Sequence, residues 1–414
     1  MPEVAVLKTE AAPPRPVAAR RLMIASACAM FSFGAGIAIP AVCLQTIGGE
    51  FQLTFAQRGL LITARIACLM VALLAAGYLA GRHGKRPFLM AGLLLIALSQ
   101  ALASRSVAYG GLLGAQVLSG AGKGTMEALV NPLVARLNPG RSARMLNLTN
   151  GLYSVGLVLS ALSTGEILQR TGSWRLPFVL WIPPLLVCVA LFATRRYPPE
   201  HLAHQPRESA RRFLHDRLFW LLFALMILSG GCEAGLTSWG PNFVQHELGA
   251  SARAGALTIT LFGALMALGR FTGSAVVARL TALRLMFISA TGCLLVTVAL
   301  SFARELPVAW LLFALGGLFV ACFWPTILSV ASDHIAAGST SLFALLASAG
   351  VIGSMAVPWG IGALGDVIGL RGAVGILPTL MAGVLVMLVV TAREVAARTR
   401  AQSLPAAAGL TPTE

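Results

Sequence analysis

The sequence predicts an all-α membrane protein whose twelve transmembrane helices form two pseudo-symmetric six-helix bundles. Three observations carry that expectation. Only 11% of the 414 residues are charged, against about 25% in a soluble domain. Apolar runs of about 20 residues, the length a helix needs to cross a bilayer core, recur along the whole chain. The longest polar stretch between runs lies near the middle and divides them six and six. This composition excludes a water-soluble α/β enzyme, a disordered chain and a disulfide scaffold.

Residues 1–21, with Ala11-Ala12-Pro13-Pro14-Arg15-Pro16, read as a disordered cytoplasmic tail. Arg20-Arg21 before an apolar run resembles a twin-arginine export signal, but the run is too long for a signal segment and opens a series of similar ones. The spans fall at approximately 22–44, 57–80, 87–104, 108–134, 145–168, 176–194, 218–240, 253–278, 284–302, 307–330, 340–364 and 372–392. They are far longer than barrel strands and lack period-2 alternation. The N-terminal bundle is expected over 22–195 and the C-terminal bundle over 218–393. A basic cytoplasmic loop, 196–217, lies between them, and 394–414 form a second cytoplasmic tail.

The net charge of +16 follows from topology. With both termini cytoplasmic, the basic residues fall on that side over the other by about three to one, as the positive-inside rule requires. The chain is thus expected in the inner (cytoplasmic) membrane. No basic run is interleaved with aromatic residues, so nucleic acid is not an expected partner. The seven cysteines lie within apolar stretches with no C-x-x-C spacing and read as small buried hydrophobes.

Between the second and third spans the chain reads Gly77-Tyr-Leu-Ala-Gly81-Arg82-His83-Gly84-Lys85-Arg86-Pro87. This resembles the cytoplasmic loop signature of the major facilitator superfamily, Gly-x-x-x-Asp-Arg-x-Gly-Arg-Arg. The resemblance implies a gating role for Gly77, Gly81, Arg82, Gly84, Lys85 and Arg86. Gly81 stands where relatives carry the acid of a gating salt bridge. A degenerate echo, Ser274-x-x-x-Ala278-Arg279, follows the eighth span. Two related six-helix halves are what the superfamily is built from.

A second stretch, Gly120-Ala-Gly122-Lys123-Gly124-Thr125-Met126-Glu127 to Asn131-Pro132, leads into Arg144-Met-Leu146-Asn147-Leu148-Thr-Asn150-Gly-Leu-Tyr153. It looks like the fucose–galactose–glucose proton-symporter branch. In that branch the Glu position is a functional acid, which implies proton coupling through Glu127. Two departures stand out: span 22–44 contains no acid, and Lys123 occupies a place where a neutral polar residue is expected. The glycines of 120–125 are not a phosphate loop, because Lys123 is followed by Gly124 and no strand precedes it.

Ionisable side chains at membrane depth are costly unless paired or hydrated, so they usually face a cavity. Arg65, Lys123, Glu127, Glu233 and Arg270 are such residues. Lys123 and Glu127 are four apart, share a helix face and are expected to pair. Glu127 is the candidate proton carrier and Lys123 its modulator. Arg65, Asn131, Asn147, Asn150, Tyr153, Glu233, Trp239, Asn242, Arg270 and Trp324 are candidate solute-binding residues. Asn131, Asn147, Asn150 and Tyr153 suit hydroxyl recognition. Arg65 and Lys123 suit a carboxylate.

The expected function is secondary active transport of a small polar solute, sugar-like by preference, by alternating access and coupled to protons. An organic-anion or sugar-acid carrier using Arg65 and Lys123, or a drug-efflux antiporter, are the alternatives. No convergent catalytic set, metal site or ATP motif is visible, so neither an enzyme nor a cofactor is expected. The expected partners are a small solute, protons and the lipid bilayer, with the chain monomeric.

Overall fold

The computed structural model describes residues 16–138, 142–194, 197, 211–277, 280–335 and 340–403, and all of its regular structure is helical. The N-terminal half holds α1 (Pro16–Glu50), α2 (Phe55–His83), α3 (Lys85–Arg105), α4 (Tyr109–Leu137), α5 (Ser142–Thr171), α6 (Arg175–Leu180) and α7 (Ile182–Phe192). After the short α8 (Arg211–Leu214), the C-terminal half holds α9 (Arg217–Glu247), α10 (Ala252–Val277), α11 (Ala282–Phe302), α12 (Leu306–Val320), α13 (Phe323–His334), α14 (Thr340–Val374) and α15 (Ile376–Ser403). The pairs α6–α7 and α12–α13 each make one broken span, so twelve crossings result.

Eleven of these crossings are long and apolar enough to span a bilayer by composition. The exception is α4, where Gln116, Lys123 and Glu127 and six glycines dilute an otherwise apolar run. Its glycines serve packing. A Cβ at Gly120 or Gly124 would collide with the backbone carbonyl of Arg65 or Leu69, so α4 and α2 cross backbone to backbone. Each half has its own apolar core. One is built from α9 to α15, and two lie within α1 to α7.

Both tails are shorter than the composition suggests. The first helix starts at Pro16, a residue that costs nothing at a helix start. Arg21 then donates to the carbonyls of Leu191 (3.0 Å) and Ala190 (2.6 Å), tying α1 to the end of α7. At the other end α15 continues to Ser403, with Arg398 paired to Asp216. The expected boundaries at 21 and 394 therefore fall inside helices, because arginines that looked solvated are structural partners. Residues 1–15, 198–210 and 404–414, and with them most of the central loop, lie outside the described residues, as does the Ala278-Arg279 end of the echo motif.

The first residue of α1 and the last of α15 lie at one end of the bundle, the terminal side. The hydrogen bonds that join the two halves through Gln45, Val42, Glu166, Thr63 and Asp366 lie toward the opposite side or at mid-depth. Asn242 donates to Gln45 (3.0 Å), which also accepts from Arg58 (2.8 Å). Gln245 donates to the Val42 carbonyl, and Arg253 to Glu166 (2.8 Å). Thr63 donates to the Met355 carbonyl (2.6 Å), and Asp366 accepts from the first two N–H groups of α2. The bundle is thus closed on the far side and open toward the terminal side.

Candidate functional site

Between the halves lies a cavity of about 380 Å³, lined by Ala29, Met30 and Phe33 of α1, Met126, Glu127, Val130 and Asn131 of α4, Tyr153 of α5, Glu233 of α9, Met266 and Arg270 of α10, and Trp324 of α13. The lining follows helical periodicity. Positions 126, 127, 130 and 131 form one stripe of α4, and 266 and 270 one stripe of α10. Glu127 stands exposed on the wall and makes no ion pair among the described residues. Asn131 lines the cavity too, but its amide oxygen is buried and has no hydrogen-bond partner. Opposite them, Glu233 and Arg270 approach to 3.7 Å and offset one another. The Tyr153 and Phe33 rings pack at 5.8 Å, and with Trp324 and three methionines they make most of the surface apolar. The site is therefore a chamber of adaptable apolar side chains with an accessible carboxylate set into one wall.

Six of the expected site residues converge here: Glu127, Asn131, Tyr153, Glu233, Arg270 and Trp324. Others do not. Lys123 fails to pair with Glu127; its ammonium, 1% exposed, has no hydrogen-bond partner and lies 5.4 Å from the Phe33 ring. Spacing put the two residues on one face, but the Lys123 side chain packs back against Gly36 while Glu127 turns into the cavity. Arg65 lines a different, much smaller chamber.

Trp239 and Asn242 sit further along α9, in the closed layer. Trp239 is fully buried and donates to the Pro358 carbonyl (2.9 Å), and Asn242 is spent on Gln45. Their depth along the helix, which composition does not report, removes them from the cavity. The side chains of Asn147 and Asn150 lie outside the described residues. In the loop segment, Arg82 donates to the Tyr78 hydroxyl (3.2 Å) and stacks on its ring, and Gly84 takes φ 82°, a conformation that favours glycine.

Sequence reasoning missed the apolar part of the wall and the closed layer. The wall was within reach, because residues one before and three and four after Glu127 must share its face. The closed layer had a signal as well: Gly362-x-x-x-Asp366-x-x-Gly369-x-Arg371 repeats the spacing of the 77–86 loop. Gly369 (φ 77°, ψ 157°) also adopts nearly the backbone angles of Gly84 (φ 82°, ψ 154°).

Residues 22–341 match the Major Facilitator Superfamily. The chain belongs to that superfamily. Its members are transporters rather than enzymes, and this chain is a multi-pass membrane protein of that superfamily. Among curated relatives, the multidrug resistance protein MdtL of Salmonella typhi is 25% identical over 247 residues, 58% of this chain and 62% of the relative. The match thus spans about three fifths of that protein.

Among solved structures, a bacterial homologue of the human lysosomal transporter Spinster, in an inward-facing and occupied conformation, superposes with a TM-score of 0.77. It is 18% identical, with 92% of this chain and 97% of the other covered. A D-xylose–proton symporter superposes with a TM-score of 0.73 at 17% identity, covering 89% and 97%. These likenesses establish the fold. The match to the fucose–galactose–glucose branch is not among what they establish.

Proposed function

We propose that the protein is a proton-coupled carrier of a small amphiphilic organic solute, with Glu127 as the group that exchanges a proton during the cycle. The observation that carries this reading is the placement of Glu127: a carboxylate on the wall of the central cavity with no ion-pair partner. A carboxylate whose surroundings alternate between wet and dry changes its proton affinity with them, and this couples protonation to conformation. The acceptor on the wall, the Glu127 carboxylate, suits a solute head rich in donors, whether an ammonium or hydroxyl groups. The Met30, Phe33, Met126, Met266 and Trp324 surface suits an apolar body.

This geometry supports an organic cation or a neutral solute better than an organic anion, since Arg65 and Lys123 do not line the cavity. Between the first two, the apolar wall and the relationship to MdtL favour a cationic amphiphile. The Glu127 carboxylate and the Tyr153 side chain on the wall support a sugar-like solute as the second reading. With both termini in the cytoplasm of an inner membrane, the opening faces inward.

Reconstitution in proteoliposomes tests the proposal. A pH gradient should drive solute movement in the native protein, and Glu127→Gln should abolish the drive while leaving solute-dependent thermal stabilisation. Full gradient-driven transport by Glu127→Gln would overturn it. Competition by quaternary amines against hexoses separates the two solute classes.

A further inference from the structure

Two carboxylates line the central cavity, one from each half: Glu127 on α4 and Glu233 on α9. Arg270 of α10 lines it as well, with its Nη2 3.7 Å from the Glu233 Oε1. That separation makes an ion pair but is too long for a hydrogen bond. Neither side chain donates or accepts a hydrogen bond among the described residues, and the guanidinium is 46% exposed and the carboxylate 23%. The ion pairs that fasten this protein differ. Arg253 donates to Glu166 at 2.8 Å and Arg398 to Asp216 at 3.1 Å. The Glu233–Arg270 pair is loose by comparison and open to the cavity. Packing holds both residues at the wall. A Cβ at Gly231, two residues before Glu233 and so on the opposite face of α9, would meet the Val357 side chain of α14, and one at Gly269 would meet the Leu318 carbonyl of α12. Neither α9 nor α10 can turn its charge away from the cavity without giving up such a contact.

The charged lining of the cavity is Glu127, Glu233 and Arg270. Arg270 offsets Glu233 and leaves Glu127 as the uncompensated charge among these lining residues. An ammonium head that leaves water needs an opposite charge to replace its hydration. One such head finds it at Glu127. A second head would meet Glu233 with the Arg270 guanidinium beside it, and repulsion by the one cancels attraction by the other. Discrimination between ligands rests on a repulsive group as much as on an attractive one.

We propose that Arg270 sets the charge class of the solute. It keeps Glu233 occupied, so the cavity admits organic monocations and rejects dications that carry a cationic head at each end. Without it, Glu127 and Glu233 would seat the two heads of a dication, one on each half. This inference rests on the reading of the solute as a cationic amphiphile, and it gives Glu233 and Arg270 a part in selectivity rather than in proton exchange.

The test measures binding to the purified full-length protein by titration calorimetry, in alkaline buffer so that Glu127 is ionised. The probes are hexyltrimethylammonium, with one quaternary head, and hexamethonium, with a second head at the other end of the same chain. The native protein should prefer the single head. Arg270→Gln should shift the ratio of the two affinities toward hexamethonium by about tenfold to a hundredfold, the effect of one partly screened charge at contact distance. Arg270→Lys should restore the preference that Arg270→Gln loses. Glu233→Gln tests the same offset from the other side: it leaves the guanidinium unpaired and should weaken binding of both probes. Glu233→Gln combined with Arg270→Gln should return the native ratio. An unchanged ratio in Arg270→Gln, a shift that persists in the double variant, or undiminished affinity in Glu233→Gln overturns the proposal. Hexyltrimethylammonium binding by Glu127→Gln as tight as that of the native protein overturns instead the reading beneath it. Binding of neither probe, by the native protein and Arg270→Gln alike, overturns both.

Discussion

The carboxylate of Asp366, near the far end of α14, accepts the backbone N–H groups of Phe55 (2.6 Å) and Ala56 (3.0 Å), the first two residues of α2. Those amides are among the four at a helix start that lack an intrahelical partner, and a negative charge there is favoured by the helix dipole. One side chain of the C-terminal half thus caps a helix of the N-terminal half and holds the far side closed. Beside it the Arg58 guanidinium lies 5.0 Å from the Phe55 ring.

Asp366→Asn should weaken this closure. Loss of a charge-assisted hydrogen bond is worth about 1.5–3 kcal/mol, so amide exchange over residues 51–60, read by mass spectrometry, should speed up by about tenfold or more. Unchanged exchange there would show that the neighbouring contacts close the bundle without Asp366.

The two candidate tryptophans should separate cleanly. Trp239→Phe strands the Pro358 carbonyl without its donor and should cost about 1–3 kcal/mol of stability with little effect on KM. Trp324→Ala, on the cavity wall, should raise the solute KM with a smaller effect on the melting temperature. The reverse pattern would place Trp239 at the solute.

Packing at Gly353 should not tolerate a side chain. A Cβ there meets the Ile227 carbonyl oxygen and leaves α14 and α9 no room. Gly353→Ala should therefore destabilise the C-terminal half by about 1–3 kcal/mol, visible as a lower midpoint in detergent.

Asp216 gives a pH-dependent prediction. Burial pushes its carboxyl pKa up, but the Arg398 guanidinium (2.5 and 3.1 Å) and the Leu218 N–H (2.8 Å) outweigh that and hold it below the usual carboxylate range. A lowered folded-state pKa stabilises above the ordinary value and loses its contribution as pH falls through the lowered one. Asp216→Asn should therefore be less stable than the native protein at neutral pH, and the gap should close only in strongly acidic solution. A gap of constant size across that range would mean the charge contributes nothing.

The architecture was legible because apolar runs of spanning length are a direct imprint of lipid on composition. Even so, α4 is the weakest imprint of the twelve, since the crossing that carries Glu127 is the one most diluted by polar and small residues. At the site, Glu127, Asn131, Tyr153, Glu233, Arg270 and Trp324 were recognisable because polar groups at membrane depth need a reason to be there. Trp239 and Asn242 satisfied the same criterion and were drawn into the closed layer instead. A sequence shows which helix a residue rides on, but not how far along it the two halves touch. The expected Lys123–Glu127 pair did not form for a related reason: spacing fixes a face, and packing of the Lys123 side chain against Gly36 and Phe33 decides where the amine goes.

The acid missing at Gly81 and present at Asp366 makes the fastening of this carrier one-sided. The far end is pinned by a carboxylate on two amides, and the equivalent position of the terminal-side loop offers only a hydrogen atom. With nothing bound, the population should rest in the shape seen here and wait for cargo from the compartment that side faces. The gradient still sets the net direction of flow, but the step that swings the empty protein over bears the cost of unpinning.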